Sequence, residues 1–262
     1  MSVPELIVFD TSLARCTAAY VRDGVCLSGK SLPDLRRHSR HLLALLHETA
    51  AAAGRRVSDA TLLATTVGPG SFTGIRVGLA TALGLAAASG RKALPLGTLD
   101  ALAHSASLAA APAPGAYILS LIDARNRRAY LGLHRVAEGG RLELLAGPVV
   151  DHYQVLLDVL GEQNLSDSHL IICGDGAAAA LRDPEYGAAF ASLTKEQTLI
   201  DLSAPSPGGL AALAWQRYLA TPSGVPAREL RPLYLSPSGA VKARRASSAA
   251  PNTASERGAT NS

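Results

Sequence analysis

Aromatic residues are scarce, at 4% of 262 positions, with 1 Trp, 7 Tyr and 3 Phe. That leaves little material for the stacking platforms that hold single-stranded nucleic acid. The 3 cysteines, Cys16, Cys26 and Cys173, are odd in number and show no C-x-x-C spacing. Both a disulfide framework and a structural zinc site are therefore disfavoured, and buried free thiols are the plain reading. Long hydrophobic runs are missing as well. The alanine-rich stretches are broken by Gly, Arg, Pro or Asp before about 18 residues, so no membrane span is expected. The opening Met-Ser-Val-Pro-Glu enters an apolar run without basic residues and does not read as a signal peptide, so a cytoplasmic location is expected.

What the chain has in abundance is alanine. Hydrophobic residues reach 48%, but 48 of them are Ala, so much of the core must come from closely packed small side chains. The formal net charge is +4, from 25 Lys+Arg against 21 Asp+Glu. Position decides what this means. Residues 240–262 hold Lys242, Arg244, Arg245 and Arg257 against Glu256, a net of +3, which leaves +1 for everything before them. The basic character that would prompt a nucleic-acid reading sits in a Pro, Ser and Ala-rich tail from residue 236 onward, which is expected to be disordered.

Along the chain, Leu6–Phe9 reads as a buried strand ending at Asp10-Thr11-Ser12. Thr17–Val21 and Val25–Ser28 flank Arg22-Asp23-Gly24, and Asp-Gly is a strong hairpin signal. Residues 39–53 follow helical spacing, with Ser39 as a candidate cap and Gly54 as the stop. Leu62–Val67 reads as a strand, followed by a glycine loop and a helix from about Ile75 to Ser89. Leu94-Pro95-Leu96 is a short extended piece, and a helix runs from Leu99 to about Ala111 with Thr98 or Asp100 as candidate caps. After the linker-like Ala111–Gly115 the opening repeats. Strand Tyr117–Ile122 ends at Asp123-Ala124-Arg125, and Ala129–His134 returns towards Leu142–Leu145. A helix near Tyr153–Leu160, a strand Leu170–Cys173, a turn at Gly174–Gly176, a helix Ala177–Arg182 and a last helix at about Gly208–Leu219 complete the pattern. Strand, acidic turn and hairpin, twice over, predict α/β lobes with mixed sheets: a first lobe over 1–105, a second, degenerate lobe over 116–235 and the tail over 236–262. The last helix is expected to pack back on the first lobe.

The most informative segment is Val67-Gly68-Pro69-Gly70-Ser71-Phe72-Thr73-Gly74-Ile75-Arg76-Val77-Gly78. A glycine loop entering a helix can cradle a phosphate. Here, however, no Gly-Lys-Ser/Thr follows and the dinucleotide spacing is not met. Nor is the G-x-S-x-G of a serine nucleophile, so Ser71 or Thr73 reads as a helix cap. Gly74, Gly78 and Ala82 would give the helix a smooth flank where another helix approaches closely. His38 and His41, three apart, lack the H-E-x-x-H arrangement of a zinc helix. Asp10 and Asp123 end equivalent strands and could face one another across a cleft as metal-organising carboxylates.

Four motifs in this order, Leu6–Ser12, His38–Leu43, Val67–Thr81 and Ile122–Arg125, closely resemble the bacterial TsaB (YeaZ) family, and the resemblance covers nearly everything up to about residue 235. It implies the fold of the actin-like and sugar-kinase superfamily: two related, ribonuclease H-like α/β lobes with mixed sheets and flanking helices. It implies a non-catalytic role in placing a threonylcarbamoyl group on the adenosine beside the anticodon, in tRNAs reading codons that begin with A. The implied partners are a TsaD-like catalytic subunit and a TsaE-like ATPase, with tRNA met indirectly and a homodimer formed when the chain is alone. No cofactor or metal is implied. TsaD-like chains carry H-x-x-x-H, whereas His38-x-x-His41 is one spacer short, and the acidic turns lack the superfamily's phosphate-binding glycines. The expected interface residues are His38, His41, Leu42, Leu45, Phe72, Thr73, Gly74, Arg76, Val77, Gly78, Ala80 and Thr81. Arg127-Arg128 stands where the family usually has Gly-Glu. Two other classes remain open: a nucleotide-binding enzyme of the superfamily, and a metallopeptidase-like protein.

Overall fold

Two β-sheets with the same strand plan organise the chain, as the repeated opening predicts. In the computed structural model, residues 3–32, 38–163 and 165–237 are described, with the side chains of 38–40 left aside; the tail expected from 236 lies almost wholly outside them. The first sheet has the order β11-β5-β4-β1-β2-β3 and the second β10-β9-β6-β7-β8. The first contains β1 (Glu5–Asp10), β2 (Cys16–Arg22), β3 (Val25–Leu32), β4 (Leu62–Gly68), β5 (Lys92–Gly97) and β11 (Val225–Pro226). In the second are β6 (Tyr117–Asp123), β7 (Arg128–Val136), β8 (Leu142–His152), β9 (His169–Cys173) and β10 (Glu196–Ile200). β1 pairs antiparallel with β2 and parallel with β4, and β6 repeats this with β7 and β9. Central strands flanked on both sides explain why Leu6–Phe9 reads as an unbroken apolar run and why Ile118–Leu121 is fully buried, Ser120 included. The Asp23-Gly24 turn has positive φ at both residues, 48° and 78°, the backbone that a two-residue hairpin needs.

The helices cover these sheets. α1 (His38–Ala52) and α2 (Phe72–Ser89) lie on one face of the first sheet. Leu42, Leu45 and Leu46 from α1, and Ala82 and Ala86 from α2, pack there with Ile7, Phe9 and Tyr20. Fully burying each such leucine is worth about 2 kcal/mol. On the other face, α7 (Pro207–Ala220) brings Leu210, Ala211, Leu213 and Ala214 to Leu6, Val8, Leu94 and Leu96. α3 (Thr98–Ala110) joins the halves: Leu99, Leu102, Ala103 and Ala106 share a core with Ile118, Ile122 and Ile171 of the second sheet. α4 (Tyr153–Gly161), α5 (Asp175–Leu181) and α6 (Gly187–Ala191) close the far side of that sheet.

Several local expectations need correction. α2 starts at Phe72, three residues early, because the Ser71 side chain caps it by accepting from the Gly74 amide. α3 is preceded by Gly97, and neither Thr98 nor Asp100 caps it; the Thr98 hydroxyl donates to Ser12 and Asp100 binds His134. α5 begins at Asp175, inside the expected turn, since Gly174 alone, at φ 99°, turns the chain. β8 runs on to His152, and α6 and β10 carry no clear sequence periodicity. By length and composition α2 is apolar enough to cross a membrane, with a mean hydropathy of 1.3 over its 18 residues. Only Gly74, Ile75, Gly78, Ala82 and Ala86 of it are buried, so much of this apolar surface stays open.

Candidate partner-docking surface

The glycine loop positions α2. Gly68 and Gly70 have φ of 120° and 151°, and a Cβ on Gly70 would collide with the Ser12 carbonyl oxygen. The Ser71 amide donates to that same carbonyl at 2.7 Å, joining the loop to the turn after β1. One turn into α2, a Cβ on Gly74 would overlap the Thr11 carbonyl oxygen, and one on Gly78 would come within 2.7 Å of Thr11 Oγ1. The Thr11 hydroxyl donates to the Gly74 carbonyl at 2.7 Å. The smooth flank therefore receives the chain's own first lobe rather than another helix. Gly74 and Gly78, expected at an interface, are buried within the subunit.

The same correction applies to Leu42 and Leu45, both fully buried in the first-lobe core. His41 is exposed, and the side chain of His38 lies outside the described residues. The rest of the expected set does reach the surface on α2. Phe72, Thr73, Arg76 and Ala80 are exposed, and Val77 and Thr81 are half-buried. Leu83 and Ala87 extend this face, and Leu43 on α1 is a further exposed leucine; none of these three is in the expected set. At its leading end, Phe72 stacks on Tyr234 with ring centroids 5.3 Å apart. The Arg76 guanidinium sits 3.8 Å from the Phe72 centroid and donates to the Tyr234 hydroxyl at 3.3 Å. Phe72 is 54% and Tyr234 49% exposed, so this stack caps an open surface.

The turns that could have held chemistry are satisfied from within. Asp10 is fully buried; its Oδ1 accepts from the Ser12 amide at 3.0 Å, from the Thr66 hydroxyl at 2.6 Å and from the Ser12 hydroxyl. Asp123 accepts from the Arg125 amide at 2.8 Å, while its own amide donates to Asp175 at 3.0 Å. Burial, with the Asp123 charge adding to it, raises the Asp175 carboxyl despite the amides that bind it. The two strand-end aspartates thus serve separate local networks. Among the described residues no group of three or more His, Cys, Asp or Glu could hold a metal ion. Burial, aided at Cys16 by the Asp10 charge, pushes the Cys16 and Cys173 thiols up to about 12, which keeps both protonated at neutral pH.

Two further features involve strands of the second sheet. A pocket of about 260 Å³ is lined by Asp100, His104, His134, Leu213 and Arg217 among others, and His134 Nε2 lies 2.9 Å from Asp100 Oδ1. At the β6–β7 tip, Arg125, Asn126 and Arg127 all adopt positive φ, of 64°, 53° and 56°. Arg127, the departure noted in the sequence, pairs there with Asp183 at 3.1 Å and Glu185 at 2.6 Å. It fastens the hairpin to the turn before α6.

Paired lobes with this strand order and these acidic turns define an α/β protein of the actin-like class. Comparison with known proteins narrows the class. The family model described as TsaD, tRNA N6-adenosine threonylcarbamoyltransferase, matches residues 33–198. The tRNA threonylcarbamoyladenosine biosynthesis protein TsaB of Haemophilus influenzae is 29% identical over 234 residues, 88% of this chain and 92% of that protein. A crystal structure from Pseudomonas aeruginosa, described as an uncharacterized protein with similarity to peptidase YEAZ, superposes with a TM-score of 0.73. It is 25% identical, and the match covers 89% of this chain and all of that one. A tRNA N6-adenosine threonylcarbamoyltransferase of Albidiferax ferrireducens is 32% identical, but the match spans 60% of this chain and only 46% of that enzyme. The chain belongs to the TsaD family and to its TsaB (YeaZ) branch.

Proposed function

We propose that the chain acts in tRNA threonylcarbamoyladenosine biosynthesis as a non-catalytic subunit that docks and activates a TsaD-like catalytic subunit. One observation carries this reading: the open face of α2 is apolar, ordered and backed by the subunit's own core. Phe72, Ala80, Leu83 and Ala87 form the kind of surface that helices of a related subunit can cover. The strand-end carboxylates are tied up by local hydrogen bonds, which favours a scaffold over a metallopeptidase or a nucleotide-hydrolysing enzyme.

In this reading the first lobe, over 1–105 with α7 and β11 returning to it, presents the partner-binding helices, and the rest of 116–235 forms the second lobe that supports it. A TsaE-like ATPase joins the pair, tRNA meets the subunit through the complex, and the assembly works in the cytoplasm. Without its partner the same apolar face closes on a second copy as an isologous dimer. The test is complex formation with the TsaD-like subunit of the same organism. Ala80→Glu, which puts a charge at the centre of the face with little helix penalty, should abolish co-elution while leaving thermal unfolding unchanged. Undiminished co-elution would refute the docking face.

A further inference from the structure

The C-terminal end of the α2 face does not stop at apolar residues. Beyond Leu83 and Ala87 the surface drops into a hollow of about 370 Å³ whose rim carries Arg91, Lys92 and Arg228. A second hollow of about 460 Å³, with Tyr218 on its wall, shares Gly90, Arg91 and Lys92 with the first but lies on the α7 side of the sheet, so the trough beside α2 is the first hollow alone. Among the described residues no carboxylate lines either hollow. Arg91 is fixed from beneath: its guanidinium donates to the Val57 carbonyl at 2.5 Å and its Nε to the Ser89 hydroxyl at 2.7 Å. Lys92 has no ion-pair partner among the described residues. Arg228 has only Glu229, at 3.9 Å and with both side chains more than half exposed, a pair worth little.

We propose that this trough receives an acidic, apolar-bearing segment of the catalytic partner, which thereby grips α2 at its far end as well as along its face. The inference rests on the docking reading above and adds the chemistry of what is docked. Three cations around a mainly apolar hollow match a peptide whose carboxylates meet Lys92 and Arg228 while an apolar side chain enters beside Leu83 and Ala87. An RNA backbone fits less well, because it offers nothing to the apolar lining. Rim charges of this kind act chiefly on association rate and partner choice.

The test compares two variants of the full chain, Lys92→Glu/Arg228→Glu and Ala80→Glu, for affinity to the TsaD-like subunit from the same organism at low and moderate salt. Both altered side chains of the first variant are exposed, and a thermal melt of each variant confirms that the fold is retained. If the double variant does not melt like the parent, Arg228→Ala replaces it. The expected result is at least a tenfold loss of affinity for the charge reversal, together with a flatter salt dependence than the parent chain. An unchanged affinity for the charge reversal alongside a lost complex for Ala80→Glu would overturn the trough and leave the docking face standing. Full affinity in both variants would overturn the docking reading itself. A charge reversal that spares the partner but weakens binding of the chain to bulk tRNA would assign the trough to RNA and likewise overturn the proposal.

Discussion

Thr11 and Gly74 hold the glycine loop's helix against the sheet: the threonine hydroxyl donates to the glycine carbonyl at 2.7 Å, and the Thr11 carbonyl occupies the space a Cβ on Gly74 would need. The obstacle is backbone and cannot swing away. Gly74→Ala is therefore expected to destabilise the chain by about 3 kcal/mol or more, read as a lower urea midpoint. Gly84 lies on the same helix with nothing within 4 Å of its virtual Cβ. Gly84→Ala should instead stabilise by up to about 1 kcal/mol through helix propensity alone. Equal effects at the two sites would contradict the packing described.

His104 makes stability depend on pH. Burial, reinforced by the nearby His134 and opposed by Asp100 and Gln216, pushes its pKa down from 6.5 to about 4. Because the folded-state value is depressed, the unfolded chain binds the proton first as the solution is acidified. Stability is then fully present above pH 6.5 and declines as pH falls towards 4, by on the order of 2–3 kcal/mol. Burial alone would raise Asp100, but the hydrogen bond and charge of His134, with His104 and Arg217, leave it lowered. Its contribution is lost only at more acidic pH. His104→Gln should flatten the chemical-denaturation profile between pH 6.5 and 4.

Thiol accessibility gives a simple count. Cys16 and Cys173 are buried and Cys26 is exposed. A thiol reagent at pH 8 should label one cysteine in the native chain and three after denaturation. Prompt native labelling of Cys16 would contradict the packing of β2 beneath α1.

The stack of Phe72 on Tyr234 predicts that the two act together. Phe72→Ala and Tyr234→Ala should each weaken partner binding, and the double variant should lose less than the sum of the two, since either change unmakes the stack. Isothermal titration of the four chains against the TsaD-like subunit measures this coupling.

Much of this architecture is readable in the residues, and the physical reason is periodicity. Buried central strands such as Leu6–Phe9, the Asp23-Gly24 hairpin and the Ser71 cap are local signals with local causes. Small residues at Gly74 and Gly78 announce a close approach, but spacing says nothing of which element approaches, and here it is the turn after the chain's own β1, with Thr65 of β4, rather than a partner. Tyr234 was not legible at all, because its contact with Arg76 joins residues 158 apart. The same holds for Arg228, which reaches the rim of the α2 hollow only after the chain has crossed both sheets. Leu42 and Leu45 follow the helical pattern, yet an apolar stripe reads alike whether it faces a core or a partner.

Reconstitution tests the central claim most directly. The TsaD-like and TsaE-like subunits of the same organism, supplied with tRNA, ATP and the threonylcarbamoyl adenylate, should form threonylcarbamoyladenosine only when this chain is added. The Ala80→Glu chain should fail to substitute for it. Equal modification with and without the chain would contradict the account.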